Sequence, residues 1–155
     1  MAIKREKKKL ARAIAYRIKD EKVEYLLIKA KKGGGYWQNP QGNLNPGEKY
    51  HLAAIRETKE ETGLETLAVI FSSKCEVEYD NEKEGKPVHT HLTAYATVID
   101  GTQEVVLNPI DGHLDYKWAS KQEALDSLTR YPEQRTVFEE VLKKVDKAMR
   151  TKEFN

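Results

Sequence analysis

The chain of 155 residues has a single cysteine, Cys75. It can form no internal disulfide, so a reducing, cytoplasmic setting is expected. A lone cysteine in a strand pattern reads as a small core residue rather than a nucleophile. Charge of one sign is also scarce: 27 Lys and Arg stand against 25 Asp and Glu, a net charge of +2. That near-balance excludes a strong overall pull toward nucleic acid. No apolar run is long enough to span a membrane. The apolar piece Ala13 to Tyr16 is followed at once by Arg17, Lys19 and Asp20, which excludes a secretory signal core. Repeats, linkers and low-complexity segments are missing as well.

What remains is a soluble, highly charged composition, 39% hydrophobic and 34% charged, large enough for one core. One domain over residues 1–155 is expected. Lys4, Arg5, Lys7, Lys8, Lys9 and Arg12 crowd the start. Residues 1–10 read as a frayed, solvated basic terminus; the functional counterpart is a flap that attracts polyphosphate or RNA.

Alternation predicts a strand over 12–18 and a second over 23–30, joined by a turn at Asp20 to Lys22. Residues 31–39 read as a glycine-rich loop carrying Tyr36 and Trp37, with Trp37 favoured as a core anchor over a substrate contact. From Lys49 the pattern turns helical, with Leu52, Ile55 and Thr58 inward and Gly63 as a left-handed cap. Residues 64–79 and 88–98 should pair as an antiparallel hairpin. In the second of these, Leu92, Ala94, Ala96 and Val98 share one face, and His89, His91, Thr93, Tyr95 and Thr97 the other. A short strand over 116–119 follows. Ser120 and Glu123 form a capping-box pattern for a helix through Leu128, and Pro132 opens a last helix. Strands interleaved with helices imply an α/β fold, a mixed sheet covered on both faces.

The chemistry concentrates in Gly42 to Leu64. Residues three and four apart on a helix are neighbours, so Glu57, Glu60 and Glu61 share a face, expected to point away from the core. Two unit charges ~5 Å apart at a dielectric of ~20 repel by roughly 3 kcal/mol. Taken alone, such a face is a solvated acidic surface. Context points elsewhere. A glycine-bearing turn precedes the helix and permits close backbone approach. Glu48 stands before the first turn, and Arg56 can orient a carboxylate with bidentate bonds. Clustered hard oxygen ligands suit magnesium or manganese bridging to phosphate.

This stretch resembles the Nudix box, G-x5-E-x7-R-E-U-x-E-E-x-G-U, where U is bulky and aliphatic. Gly42, Glu48, Arg56, Glu57, Glu60, Glu61, Gly63 and Leu64 match, and Thr58 replaces one aliphatic position. The resemblance implies an α/β/α sandwich that cleaves a nucleoside diphosphate linked to another group. It implies Glu57, Glu60, Glu61 and the Gly42 carbonyl as ligands of Mg2+ or Mn2+. Glu57 or Glu61 would be the base, and Arg56 and Glu48 an orienting pair. The flanking YWQNPQGNLNPGE and GHLDYKWASKQEAL are similar to segments of the dinucleoside polyphosphate hydrolases and RNA 5′-pyrophosphohydrolases. The latter segment is also similar to the dATP and dihydroneopterin triphosphate pyrophosphatases. Relatives usually carry Glu-His where this chain has Gly112-His113; either Asp111 or Asp115 is a candidate substitute, or the helix glutamates suffice.

Tyr36, Trp37, His91, Tyr95 and Tyr116 are candidates for substrate contact. His89 and His91 raise the question of zinc, which is set aside because no cysteine or third histidine stands ready to finish a site. The leading expectation is asymmetric cleavage of diadenosine tetraphosphate to ATP and AMP. The alternatives are pyrophosphate removal from dATP, dihydroneopterin triphosphate or RNA 5′ ends, and, in another class, a non-catalytic nucleotide-sensing module. No membrane partner is expected, and the assembly is a monomer or homodimer.

Overall fold

A computed structural model describes residues 6–31, 35–80, 87–108, 110 and 112–152. Strands β1 (Glu6–Lys19), β2 (Lys22–Ala30), β3 (Tyr36–Gln38), β4 (Gln41–Asn43), β5 (Thr66–Asp80), β6 (Pro87–Ile99) and β7 (His113–Ala119) alternate with α1 (Tyr50–Thr62), α2 (Lys121–Ser127) and α3 (Pro132–Lys152). The sheet order is β3-β2-β1-β6-β5, with β4 on β1 and β7 on β2. β1 and β6 run parallel, Leu10 opposite Leu92 and Ala13 opposite Tyr95, while the remaining pairs are antiparallel. The mixed sheet therefore matches the expectation, as does the β5–β6 hairpin.

The site exists because two central strands part company. β1 pairs with β2 through Tyr16–Lys19 but with β4 through Leu10–Arg12. β2 turns away to pair with β3 and β7. The gap between the diverging strands is bridged by Asn39 and Pro40, and Ala13 N–H donates to the Pro40 carbonyl at 2.8 Å.

Alternation then sorts the side chains. Ile14, Tyr16, Leu27, Leu92, Ala94 and Ala96 face α3, where Val137, Phe138, Val141, Leu142 and Val145 complete the larger core. Burying each such Leu or Phe stabilises the fold by about 1.5–3 kcal/mol. Cys75 is half-buried and packs against the edge of this cluster, and burial pushes its thiol up from the ordinary value. On the opposite face Ala11 and Ala13 meet Ala53 and Ala54 of α1. Small residues on both sides let that helix lie close to the sheet. Leu52, expected inward, is 47% exposed; the alanines take its place because a leucine would hold the helix away.

Three further differences are physical in origin. β1 begins at Glu6, not Arg12, because its lysine-bearing start pairs with β6, Lys7 opposite His89 and Lys9 opposite His91. The described part of the basic run is thus strand rather than frayed terminus. The expected loop at 36–39 contains β3 and is followed by β4, strands of three residues each; β3 folds back on the preceding β2, and β4 depends on β1, some thirty residues earlier. Finally, Arg12 is buried in the interior, its Nε donating to Gln41 at 2.8 Å and its Nη2 3.3 Å from Glu133 of α3. Ser120 caps α2 by accepting from Glu123 N–H, and Pro132 opens α3, both as read from sequence.

Candidate active site

α1 ends at Gly63, whose φ of 75° is the left-handed cap and whose N–H donates to Lys59. Thr58 is fully buried, and its hydroxyl donates to the Ala54 carbonyl at 2.8 Å. This internal bond explains how a threonine occupies an aliphatic position without an orphaned polar group.

Contrary to expectation, the carboxylates do not all face away from the core. Glu57 and Glu61 continue the stripe of Ala53, Ala54 and Thr58, one and two turns farther along. This brings them over β4. Glu61 is only 5% exposed, and Gln41 N–H donates to its Oε2 at 3.3 Å. Glu57 lies so close to Gly42 that any Cβ there would overlap its carboxylate. Burial pushes the Glu57 carboxyl above its ordinary range, with Arg56 acting in the opposite sense. Glu60 stays at the rim, 51% exposed.

Arg56 holds this set in place. Its Nε and Nη2 donate to the two oxygens of Glu48, both at 2.9 Å. Nη1 donates to Glu57 at 2.8 Å and Glu60 at 3.1 Å. Nη2 also donates to the Asn43 carbonyl at 2.9 Å. Every N–H of the guanidinium is therefore engaged, which only its planar fork permits. Glu48 in turn accepts from Asn45 N–H at 2.9 Å, and Arg56 first, then that N–H, holds its carboxyl down to about 2. One positive charge faces Glu48, Glu57 and Glu60, with Glu61 adjacent. This surplus of hard oxygen around a glycine cradle fits a divalent cation.

The opening in front of Glu61 and Gly42 is a cleft of about 530 Å³, lined by Tyr36, Gln38, Gln41, Gly112 and His113 among others. Tyr36 therefore reaches the site, edge-on to Tyr131 at 5.9 Å. Other expected substrate residues are elsewhere. Trp37 points to the opposite face, packed on the α3 core beneath Lys117 Nζ at 4.5 Å. His91 and Tyr95 line a separate cleft with Lys49, Tyr50, Lys74 and Glu76. Tyr116, opposite Ile28, is 39% exposed outside the cleft lining. At Gly112 the φ is 71° and a Cβ would meet nothing within 4 Å, so the cleft wall is open at this position. Asp115 pairs with Lys29 across a bulge and does not line the cleft; Asp111 lies outside the described residues.

Sequence reasoning missed the parts played by Gln41 N–H and the Asn43 carbonyl. Both act through the backbone, so no residue type advertises them. His113 also lines the cleft, its Nε2 3.2 Å from Gln38 Nε2.

The NUDIX domain family model matches residues 8–141. The chain belongs to the Nudix family. It is a Nudix hydrolase, of a family that acts on phosphoanhydride bonds and generally uses divalent metals. The mouse bis(5′-nucleosyl)-tetraphosphatase [asymmetrical] is 33% identical over 120 residues, covering 76% of this chain and 78% of that relative. The RNA pyrophosphohydrolase of Rickettsia canadensis is 29% identical over 122 residues, 71% of this chain and 73% of that relative. Among solved structures, a C. elegans Ap4A hydrolase binary complex superposes with a TM-score of 0.75 at 26% identity, covering 90% of this chain and 98% of that one. The Nudix α/β/α sandwich is thereby established. Among the described residues, no helix is long and apolar enough to cross a membrane.

Proposed function

We propose that this Nudix hydrolase cleaves diadenosine tetraphosphate asymmetrically, using Mg2+ or Mn2+ held by Glu57, Glu60, Glu61 and the Gly42 carbonyl. The observation that carries the reading is the Arg56 fork. It fixes Glu57 and Glu60 while Gln41 N–H fixes Glu61, so the carboxylates are oriented before any substrate arrives. The bound cation would polarise a phosphoryl oxygen and lower the pKa of the attacking water. Glu57 or Glu61 takes the proton of that water. The water oxygen bonds to one phosphorus, the anhydride P–O bond breaks, and the products are ATP and AMP. Arg56 and Glu48 keep the acids in position, and Tyr36 offers a ring to a base at the cleft wall. The similarity to the tetraphosphatases from mouse and C. elegans favours this substrate.

A second reading, removal of pyrophosphate from RNA 5′ ends, has its own support. Lys8 and Lys9 flank the loop from Asn43 to Glu48, where a polyanion could lie, and RNA pyrophosphohydrolases are among the relatives. A sensing module without catalysis has no use for the ordered acids. We further read the chain as one Nudix domain, cytoplasmic, and monomeric or dimeric.

The deciding experiment is a substrate panel with Mg2+ in 18O-labelled water, read by mass. ATP plus AMP from diadenosine tetraphosphate supports the first reading. Pyrophosphate from triphosphorylated RNA or dATP, without dinucleotide turnover, replaces it. Tight nucleotide binding with no turnover of any substrate sinks the enzyme reading for this chain.

A further inference from the structure

A second set of metal-type ligands lies outside the Nudix box. Antiparallel pairing places Glu76 opposite His91 and Glu78 opposite His89. Alternate residues of a strand share a face, so these side chains stand together. Glu76 sits between the imidazoles: its Oε2 is 3.4 Å from His89 Nε2 and its Oε1 3.3 Å from His91 Nδ1. The two rings meet edge-on, centroids 5.0 Å apart at 84°. One ligand atom from each of Glu76, His89 and His91 lies within 4.8 Å of the others.

These separations have a chemical meaning. An ion holding nitrogen and oxygen tetrahedrally at ~2.0–2.1 Å keeps its ligand atoms roughly 3.3–3.4 Å apart. The Glu76–histidine spacings are of that order but run to the two different oxygens of the carboxylate, so Glu76 has to turn for one oxygen to share an ion with both nitrogens. Two imidazoles and a carboxylate select a d-block cation over magnesium or calcium, unlike the all-oxygen box. Glu78 Oε1 also lies 3.8 Å from Nδ1 of His89, the nitrogen turned away from Glu76. That is beyond hydrogen-bond length, and a shift of a few tenths of an ångström would let Glu78 accept from this ring, the contact by which a carboxylate fixes the tautomer of a ligating histidine. The sequence reading sought a third nitrogen or sulfur ligand; the structure supplies an oxygen, from the neighbouring strand.

We propose that Glu76, His89 and His91 form a binding site for a divalent cation of the zinc class, with Glu78 as the supporting carboxylate. Glu76 and His91 also line the cleft of about 500 Å³ that contains Lys49, Lys74 and Tyr95. The site thus borders that space, and an ion held there would have room for water or an anionic oxygen as a further ligand. Lys74 on the cleft wall and Lys9, beside His91 in the β1 register, oppose a cation. The charges of Glu76 and Glu78 offset them. The rival arrangement is metal-free, with Glu76 simply bridging the two imidazoles.

Co2+ added to the chelator-stripped full chain separates the two. A tetrahedral site with nitrogen ligands gives strong visible absorption, whereas an octahedral oxygen site gives weak bands. The expected result is a strong spectrum saturating at one Co2+ per chain and abolished by Zn2+. It persists in the Glu57→Gln/Glu61→Gln variant and disappears in His89→Gln/His91→Gln. Glu78→Gln weakens binding by roughly 10- to 100-fold. Glu76→Gln, a near-isosteric change at an exposed position, gives the same answer if the double histidine variant does not fold. Weak octahedral bands alone, or a strong spectrum that survives loss of both histidines or of Glu76, overturns the proposal. So does one lost with the box glutamates.

Discussion

Gly42 and Glu57 compete for one volume: a Cβ on residue 42 would stand inside the Glu57 carboxylate. The glycine is required by contact, not by backbone angle. In the proposed metal site, β4 must pass this close to α1 for the Gly42 carbonyl and the Glu57 carboxylate to face one ion. Gly42→Ala should therefore push Glu57 aside by about an ångström and lower kcat by on the order of 100-fold. The melting temperature should move by only a few degrees. Steady-state rates with Mg2+ and a thermal melt check this; full activity in Gly42→Ala would show that the pair is not part of the site.

Arg56→Lys keeps the charge and loses the fork. An ammonium has three donors and no fixed plane, so it cannot serve Glu48, Glu57, Glu60 and the Asn43 carbonyl together. Activity or metal affinity should fall by roughly 10- to 100-fold, as for other supporting residues of a metal site. The metal dependence of kcat/KM is the measurement, and a steeper requirement for Mg2+ is the expected signature.

Acid should undo the same network from the other side. The Glu48 carboxyl is held down to about 2 in the fold, against an ordinary value of 4.5. A depressed carboxyl contributes stability above its unfolded pKa, and that contribution disappears as pH falls through the folded one. Wild type should thus lead Glu48→Gln in melting temperature at pH 6 and lose that lead between pH 4.5 and about 2. Two melting curves that stay a constant distance apart over this range would contradict the assignment.

Much of this site is legible in the sequence because its chemistry is carried by side chains at helical spacing. Glu57, Glu60 and Glu61 can be placed on one helix from their intervals alone, and Gly63 announces where that helix stops. What the intervals do not reveal is which way the helix is turned. Leu52 looks like the inward residue, yet Ala53 and Ala54 face the sheet, because the partners are Ala11 and Ala13 on a strand far away in the chain. That rotation puts Glu57 and Glu61 in the buried stripe. The same limit applies to β3 and β4, which local propensity cannot indicate, and to Glu76, which becomes the neighbour of His89 and His91 only through strand register.

The close approach of α1 gives its own test. Thr58 is fully buried with its hydroxyl bonded within the helix. Thr58→Val removes that bond and adds apolar contact, so stability should change by less than about 1 kcal/mol. Ala54→Leu, by contrast, must either strain the sheet or lift the helix, at about 1–3 kcal/mol, and should reduce activity along with stability. Denaturant unfolding and kcat for both variants decide whether helix position and catalysis are linked.

Tyr36 and Trp37 are adjacent in sequence and face opposite sides of the sheet. Tyr36 lines the cleft beside Gly42 and Glu61, and Trp37 packs on the α3 core. Their alanine variants should therefore fail differently. Tyr36→Ala loses an edge-on contact with Tyr131 worth about 0.5–1.5 kcal/mol and a wall of the cleft, so KM should rise several-fold with kcat little changed. Trp37→Ala removes a large ring from the core, along with its contact to Lys117. It should cost about 2–4 kcal/mol of stability, somewhat less than a fully buried tryptophan. KM measured well below its melting temperature should stay near wild type. If Trp37→Ala raised KM while Tyr36→Ala left it alone, the substrate would lie on the α3 side of the sheet, and the cleft assigned here to the nucleotide would be the wrong one.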